Sequence, residues 1–470
     1  MFRKKKIGVL GAANSGKTVL LTSLLWHLEA FSPEKFHVGS GQVGINDFEY
    51  DKKHSLWFNY PLHKEIFVNQ GGWPDKTTDY AIAKCSYRRT DSIWQHDMTF
   101  IDIPGERVSD VLIWTSENYA DWSRQLSQFW SGNKLIQHCM QDFVNNLKGI
   151  DINDSLSESN IWDYLVAQYK NGLIKLGKNY SPFITPSTFV LTADGKTIDE
   201  NLSGKEVEDE LLRRPIWEKG DFFPLPVEWK KCKNITLNNI YKKCKANFKR
   251  YRKEVLKPLY AEIDDCDNFL VCVDIFNILA SGPGRFYQVR GEVDNFFEMI
   301  RPGRFCRRMI DIQKALNAIK IGKILPSSVQ AKPPKIAFVA TKSDMAYDSD
   351  EKNKLLKLLE RLVHSATNTS YVNSSFFTCC SGRSIIYDYK SDKIVFLKEV
   401  DSDGEGSRIS EVHLPVDKWP VLPDGWKCES DWNISLYREF TRPRFPLCPG
   451  YGEPPEQDNL DRLFDFITED

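Results

Sequence analysis

Eight residues near the start of the chain, Gly11, Ala12, Ala13, Asn14, Ser15, Gly16, Lys17 and Thr18, satisfy GxxxxGK[ST] without a mismatch. Residue types in this order suit a polyphosphate. Glycines let backbone N–H groups converge on phosphate oxygens, a helix N-terminus adds partial positive charge, and Lys17 supplies a full charge to the β and γ phosphates. Thr18 then offers a hydroxyl to Mg2+. Such a loop needs a strand ahead of it and a helix behind it. Ile7 to Leu10 reads as a short buried strand, and Val19 to Leu28 carries apolar residues at helical spacing.

Two further stretches carry related chemistry. Asp102, Ile103, Pro104, Gly105 and Glu106 close a strand-like run, 97–103, and read DxPGE, the DxxG element of Ras-type GTPases followed by an acid. A carboxylate at a strand end can hold Mg2+ through water, and the Gly105 N–H can sense a γ-phosphate. Glu106 stands where those enzymes keep the residue that orients the attacking water, and is either a base or a solvated acid. Thr341, Lys342, Ser343 and Asp344 follow the apolar run 336–340 and resemble NKxD, with Thr in place of Asn. An Asp carboxylate accepts from the guanine ring N–H and from its exocyclic amine, a donor pair that adenine lacks. The Lys342 stem would lie over the purine ring. Farther on, Cys379, Cys380, Ser381 and Gly382 follow the strand-like Phe376 to Thr378, where a small-residue loop would read the guanine oxygen through its backbone. Trp73 to Thr78 lies where a first switch belongs, with a threonine to complete the Mg2+ shell. Gly39, Gly41 and Gly44 spell GxGxxG but follow no clear strand and open no helix, so they read as a chance match in a polar loop.

The elements that must position these residues follow from the rest of the 470-residue chain, long enough for several structural units. Residues 79–87 and 97–103 predict a hairpin of antiparallel strands; Phe269 to Ile275 and Ile336 to Ala340 are apolar on both faces, as parallel strands covered by helices require. Between these sheet halves, 107–265 carries helical periodicity, for instance at Ile240, Cys244, Phe248, Tyr251 and Val255. Within it, Lys230 to Lys257 holds eleven basic residues against the single acid Glu254, read as a solvated helix face, with membrane or partner docking as the alternative. Residues 400–430 read as surface loop, and Leu460 to Ile467 as a short amphipathic helix.

Composition narrows the classes. Sixty-three Lys plus Arg against 64 Asp plus Glu leave a net charge of −1, so no global field favours nucleic acid or an anionic membrane. Eleven cysteines without a CxxC pair argue against a zinc site or a disulfide scaffold and for reduced thiols in a cytoplasm. The basic start, Arg3 to Lys6, precedes an apolar run too short and too rich in glycine for an export signal.

The combined motifs resemble the YcjX-like P-loop GTPases, bacterial proteins described as stress-associated. Members share SGKT (Ser15 to Thr18), WPxxT (Trp73 to Thr77), a DYPGEW element (Asp102 to Arg107), a DYxxWSRQ stretch (Asn118 to Gln125), a VKP segment (Leu256 to Pro258), VDxxxxLxSGP (Val273 to Pro283), TKxD, and a C-terminal RP then LDxxxxFI (Arg442, Pro443 and Leu460 to Ile467). Ile103 and Arg107 depart from the family's Tyr and Trp.

The resemblance implies an α/β P-loop NTPase fold of Ras type with one antiparallel strand in a mainly parallel sheet. That domain would span 1–105 and 266–399, a helical insertion 106–265, and a loop-rich C-terminal segment 400–470. It implies slow hydrolysis of GTP to GDP with Mg2+, in a nucleotide-dependent switch. Lys17, Glu106 and Thr77 would be catalytic, and Thr18, Thr77 and Asp102 would hold the metal; Thr77 is preferred to Thr78 on the resemblance. Asn14, Ser15, Gly16, Lys17, Thr18, Val19, Gly105, Lys342, Asp344, Cys380 and Ser381 would contact nucleotide. An unidentified protein effector is implied and a nucleic-acid partner is not. The alternatives are an ATPase, a nucleotide-stabilised scaffold with negligible hydrolysis, and a membrane-remodelling GTPase suggested by the basic segment alone.

Overall fold

The structure, a computed structural model, describes residues 3–12, 14–39, 43–53, 56–70, 73, 80–132, 134–150, 157–179, 184–190, 204–300, 334–367, 373–402, 406–426, 437 and 453–469. Its strands are β1 (Arg3–Gly11), β2 (Ile45–Asp51), β3 (Ala81–Arg89), β4 (Gln95–Asp102), β5 (Asn268–Val273), β6 (Lys335–Ala340), β7 (Asn373–Thr378), β8 (Ile385–Asp388), β9 (Lys393–Ser402) and β10 (Gly406–Pro415). Among its helices are α1 (Lys17–Glu29), α2 (Ile235–Tyr251) and α3 (Leu460–Thr468). The chain forms two units, Met1–Pro104 with Asp265–Asp470, and Gly105–Asp264.

In the first unit every residue of β5 is buried, the signature of a central strand with helices on both faces. The seven-stranded sheet runs β2-β3-β4-β1-β5-β6-β7. β1 pairs in parallel with both β4 and β5, and β6 and β7 continue the parallel side. β3 alone runs against its neighbours β2 and β4. Side chains alternate across the sheet. Ile7, Val9, Leu270, Cys272, Ala337 and Val339 face one layer, where the leucines of α1 meet Leu460, Leu463, Phe464 and Ile467 of α3. On the other face Phe338 stacks on Phe376 and on Phe297 of the helix Pro283–Ile300.

Beyond the expected elements, residues after Gly44 form strand β2, which pairs with β3 at the sheet edge; only Ile45 of it is buried, so its acids face water and hide the strand signal. One sequence expectation needs correction. Residues 400–430 are not simply loop, because β9 and β10 pair from Lys393 to Pro415 and join β8 in a second, antiparallel sheet. β9 buries Ile394 and Phe396, with Phe396 against Trp419, while the described residues of β10 from Ser410 to Leu414 are half-buried or exposed. The C-terminal residues cluster with the first unit, and α3 packs on its sheet.

The second unit is helical. Its helices include Tyr119–Gly132, Lys134–Gly149, Glu158–Asn179 and α2. α2 starts at Asn234, whose side chain accepts from the Leu237 N–H and so caps an otherwise unpaired donor. It buries Leu237, Ile240, Tyr241, Cys244, Phe248 and Tyr251 against Tyr119, Trp122 and Phe222. Among the described residues no helix is long and apolar enough to cross a membrane.

Candidate functional site

Open parallel sheets bind ligands beyond the carboxyl ends of their strands, where consecutive connections depart to opposite sides. β1 occupies that position here, with β4 on one flank and β5 on the other. The turn that leaves β1 is Gly11 to Gly16, and its conformation depends on glycine. At Gly11, φ is +150° and a Cβ would lie 2.5 Å from the Cys272 carbonyl oxygen and 2.5 Å from Ser15 Oγ. Gly16 has φ +84° and caps α1, and Asn14 also sits in the left-handed region at φ 66°. Lys17 is buried and curls back over this turn, its Nζ donating to the carbonyls of Gly11 (2.8 Å) and Ala12 (2.9 Å). Buried Ser15 Oγ has no hydrogen-bond partner among the described residues. α1 starts at Lys17 with no acid in its own first turn, so its N–H groups add partial positive charge at the turn.

β4 delivers Asp102 to the same edge. The pairing Val9↔Asp102 sets it beside β1, and the Thr18 hydroxyl donates to its Oδ2 at 3.4 Å. A hydroxyl beside a carboxylate is a donor pair that could hold Mg2+, a cation that keeps several waters and takes few protein ligands. Among the described residues no group of three or more His, Cys, Asp or Glu is placed to hold a metal ion.

β6 ends in the Thr341–Asp344 turn. Thr341 Oγ1 donates to the Ser15 carbonyl at 2.8 Å, so the residue replacing Asn ties the turn after β6 to the loop after β1. Lys342 takes φ 58° and its Nζ pairs with Asp274 Oδ2 at 2.5 Å. Asp274 also caps the helix Ile275–Ser281 through the Asn277 N–H. Asp344 is nearly buried, and its Oδ2 accepts from the Ser384 N–H (2.8 Å) and hydroxyl (2.7 Å).

Ser384 is a residue that the sequence reading missed. The loop after β7 was read at Cys380 and Ser381, but the Cys380 N–H donates to the Asp458 carbonyl at 3.1 Å, and Asp458 returns the bond at 2.9 Å. The Cys380 N–H is thereby committed within the protein, and the hydroxyl that meets Asp344 lies three positions beyond Ser381. Serine-rich sequence on both sides left no signal for choosing it. The segment before α3 braces this loop further: Asn459 Nδ2 donates to the Thr378 carbonyl, Arg383 N–H to the Glu456 carbonyl, and Lys352 pairs with Asp458. Burial pushes the Cys272 thiol up to about 12 and raises Cys379 and Cys380 as well, so none of them supplies a thiolate nucleophile.

Gly105 and Glu106 open the second unit as the start of the 3-10 turn Gly105–Asp110, with Glu106 half-buried. The turn is anchored within that unit. Arg107 donates to Ser187 Oγ (3.1 Å), and Ser109 Oγ to the Ile184 carbonyl (2.5 Å). Asp110 is fully buried and accepts from the Ser187 N–H (2.9 Å), Ser187 Oγ (2.5 Å), Thr185 Oγ1 (3.3 Å) and the Tyr251 hydroxyl of α2 (2.7 Å). Burial raises its pKa, and nearby Arg107 opposes the rise. No motif points to Asp110; its role comes from partners far along the chain. Thr77 lies outside the described residues, as does Gly41 of the discarded GxGxxG run, and Gly39 and Gly44 precede β2 rather than open a helix.

The first unit thus brings Ser15, Lys17, Thr18, Asp102, Lys342 and Asp344 to the carboxyl edge of one sheet. No curated protein matches the chain at a significant level. The family comparison matches the YcjX-like family, DUF463, over residues 5–470. With that match covering nearly its whole length, the chain belongs to the YcjX-like family.

Proposed function

We propose that this protein is a guanine-nucleotide-binding switch with a Ras-type P-loop NTPase fold that hydrolyses GTP slowly with Mg2+. The observation that carries the reading is the bond from Thr341 to the Ser15 carbonyl, which couples a phosphate-type loop to a base-type TKxD turn at one sheet edge. In this reading the Lys17 ammonium and the loop N–H groups hold the β and γ phosphates. Thr18 and Asp102 hold Mg2+, with Thr77 joining them in the GTP state, and the metal neutralises charge on the phosphates. Asp344, steadied by Ser384, accepts from the two guanine donors, and the Lys342 stem covers the ring. Gly105 donates its N–H to the γ-phosphate, and Glu106 takes or steers the proton of the attacking water. Phosphate release from GTP at saturating Mg2+ tests the hydrolytic part. Turnover on the order of 10⁻³ s⁻¹, falling about a hundredfold in Glu106→Ala and vanishing in Lys17→Ala, is expected. Turnover that survives Lys17→Ala would contradict it.

A further inference from the structure

α2 and the helical turns after it turn a row of lysines outward from the second unit. Lys242, Lys245, Lys249 and Lys253 are spaced three or four residues apart, which puts them along one helix face. Three of them are exposed and Lys245 is half-buried. The row spans about 16 Å at a helical rise of 1.5 Å per residue. The unit's neighbouring cations have internal work. Arg250 and Lys219 pair with Glu254 at 3.1 and 2.8 Å, Lys243 sits 3.7 Å over the Trp162 ring, and Arg252 donates to the carbonyls of Trp114 and Ser116. Among the described residues no carboxylate pairs with any lysine of the row. Both arginines of the segment are paired within the unit, and the charges of the row are all lysine.

We infer that this face docks the protein on the surface of an anionic lipid bilayer. Lysine is a compact, hydrated point charge on a flexible stem; it suits a diffuse negative surface rather than directional, bidentate recognition. The aromatic residues of α2 are buried, so the face has no platform on which nucleic-acid bases could stack. Ala246, in the middle of the row, offers no apolar anchor of the kind a protein partner would need. Ile235 stands seven residues before Lys242 on the same face and is 77% exposed, an apolar side chain at the level of lipid headgroups. Because the apolar face of α2 is committed to the core, the helix adsorbs and does not insert. The inference is independent of the nucleotide reading.

The test is co-sedimentation of the full chain with vesicles of phosphatidylcholine alone or with about 30% phosphatidylglycerol, at about 0.05 and 0.5 M salt. Binding only to the anionic vesicles, release at high salt and a drop in partitioning of about a hundredfold in K242E/K249E/K253E are expected. The arginine version, K242R/K249R/K253R, should retain binding, and circular dichroism and the thermal unfolding midpoint should match the parent in both variants. Equal binding to neutral vesicles, or undiminished binding by the glutamate variant, overturns the inference. So does failure on vesicles combined with charge-dependent retention on duplex DNA or polyglutamate, which would assign the face to those partners.

Discussion

Ser384 sets how firmly Asp344 is aimed. Two donors from one residue hold a single carboxylate oxygen, which leaves the other for a ligand and restricts the rotation of a nearly buried side chain. A hydrogen bond to a charged group contributes about 1.5–3 kcal/mol. Ser384→Ala keeps the backbone bond and loses the hydroxyl, so GDP affinity should fall about tenfold with ADP affinity unchanged, as read by calorimetry. An equal fall for both nucleotides would assign Ser384 to fold stability instead. Lys17, Thr18, Asp102 and Asp344 could be singled out because each lies in a short local motif beside a strand end. Ser384 and Asp110 were not, since their partners lie 40 and up to 141 residues away.

At the scale of elements, His27 joins α1 to the C-terminal segment. Its Nε2–H donates to the Pro455 carbonyl at 3.0 Å, and its ring stacks on Phe36, which in turn meets Phe464 of α3. Burial lowers its pKa from 6.5 to about 4. Between those values the unfolded chain binds the proton that the folded chain refuses, so stability falls as pH drops below 6.5 and levels off near 4. The full effect is about 3 kcal/mol. His27→Gln keeps a donor and removes the titration, so urea unfolding of the wild type should lose about 2 kcal/mol more than the variant between pH 7.5 and 5. Parallel pH profiles would show that the ring is not closed off from water. β5 and β6 could be read from continuous apolar runs, whereas β2 and β10 could not, because their polar and charged residues alternate with apolar ones and resemble loop.

Across the whole molecule, near-neutral net charge conceals uneven local charge. The first unit gathers a glycine turn closed by Lys17, a carboxylate beside a hydroxyl and a braced Asp at one sheet edge. The second unit carries the lysine row and the buried Asp110 hub, to which α2 contributes Tyr251. α/β order and helical periodicity were legible at this scale. Packing of α3 on the sheet was not, because an amphipathic tail reveals that it must be buried but not against what. The central claim is guanine selectivity, and titration calorimetry of the full chain with GDP and with ADP in Mg2+, repeated on Asp344→Asn, tests it most directly. Predicted are GDP binding at about micromolar or tighter, ADP binding at least about a hundredfold weaker, and loss of GDP with gain of xanthosine diphosphate in the variant. Equal affinity for GDP and ADP, or GDP binding untouched by Asp344→Asn, would contradict it.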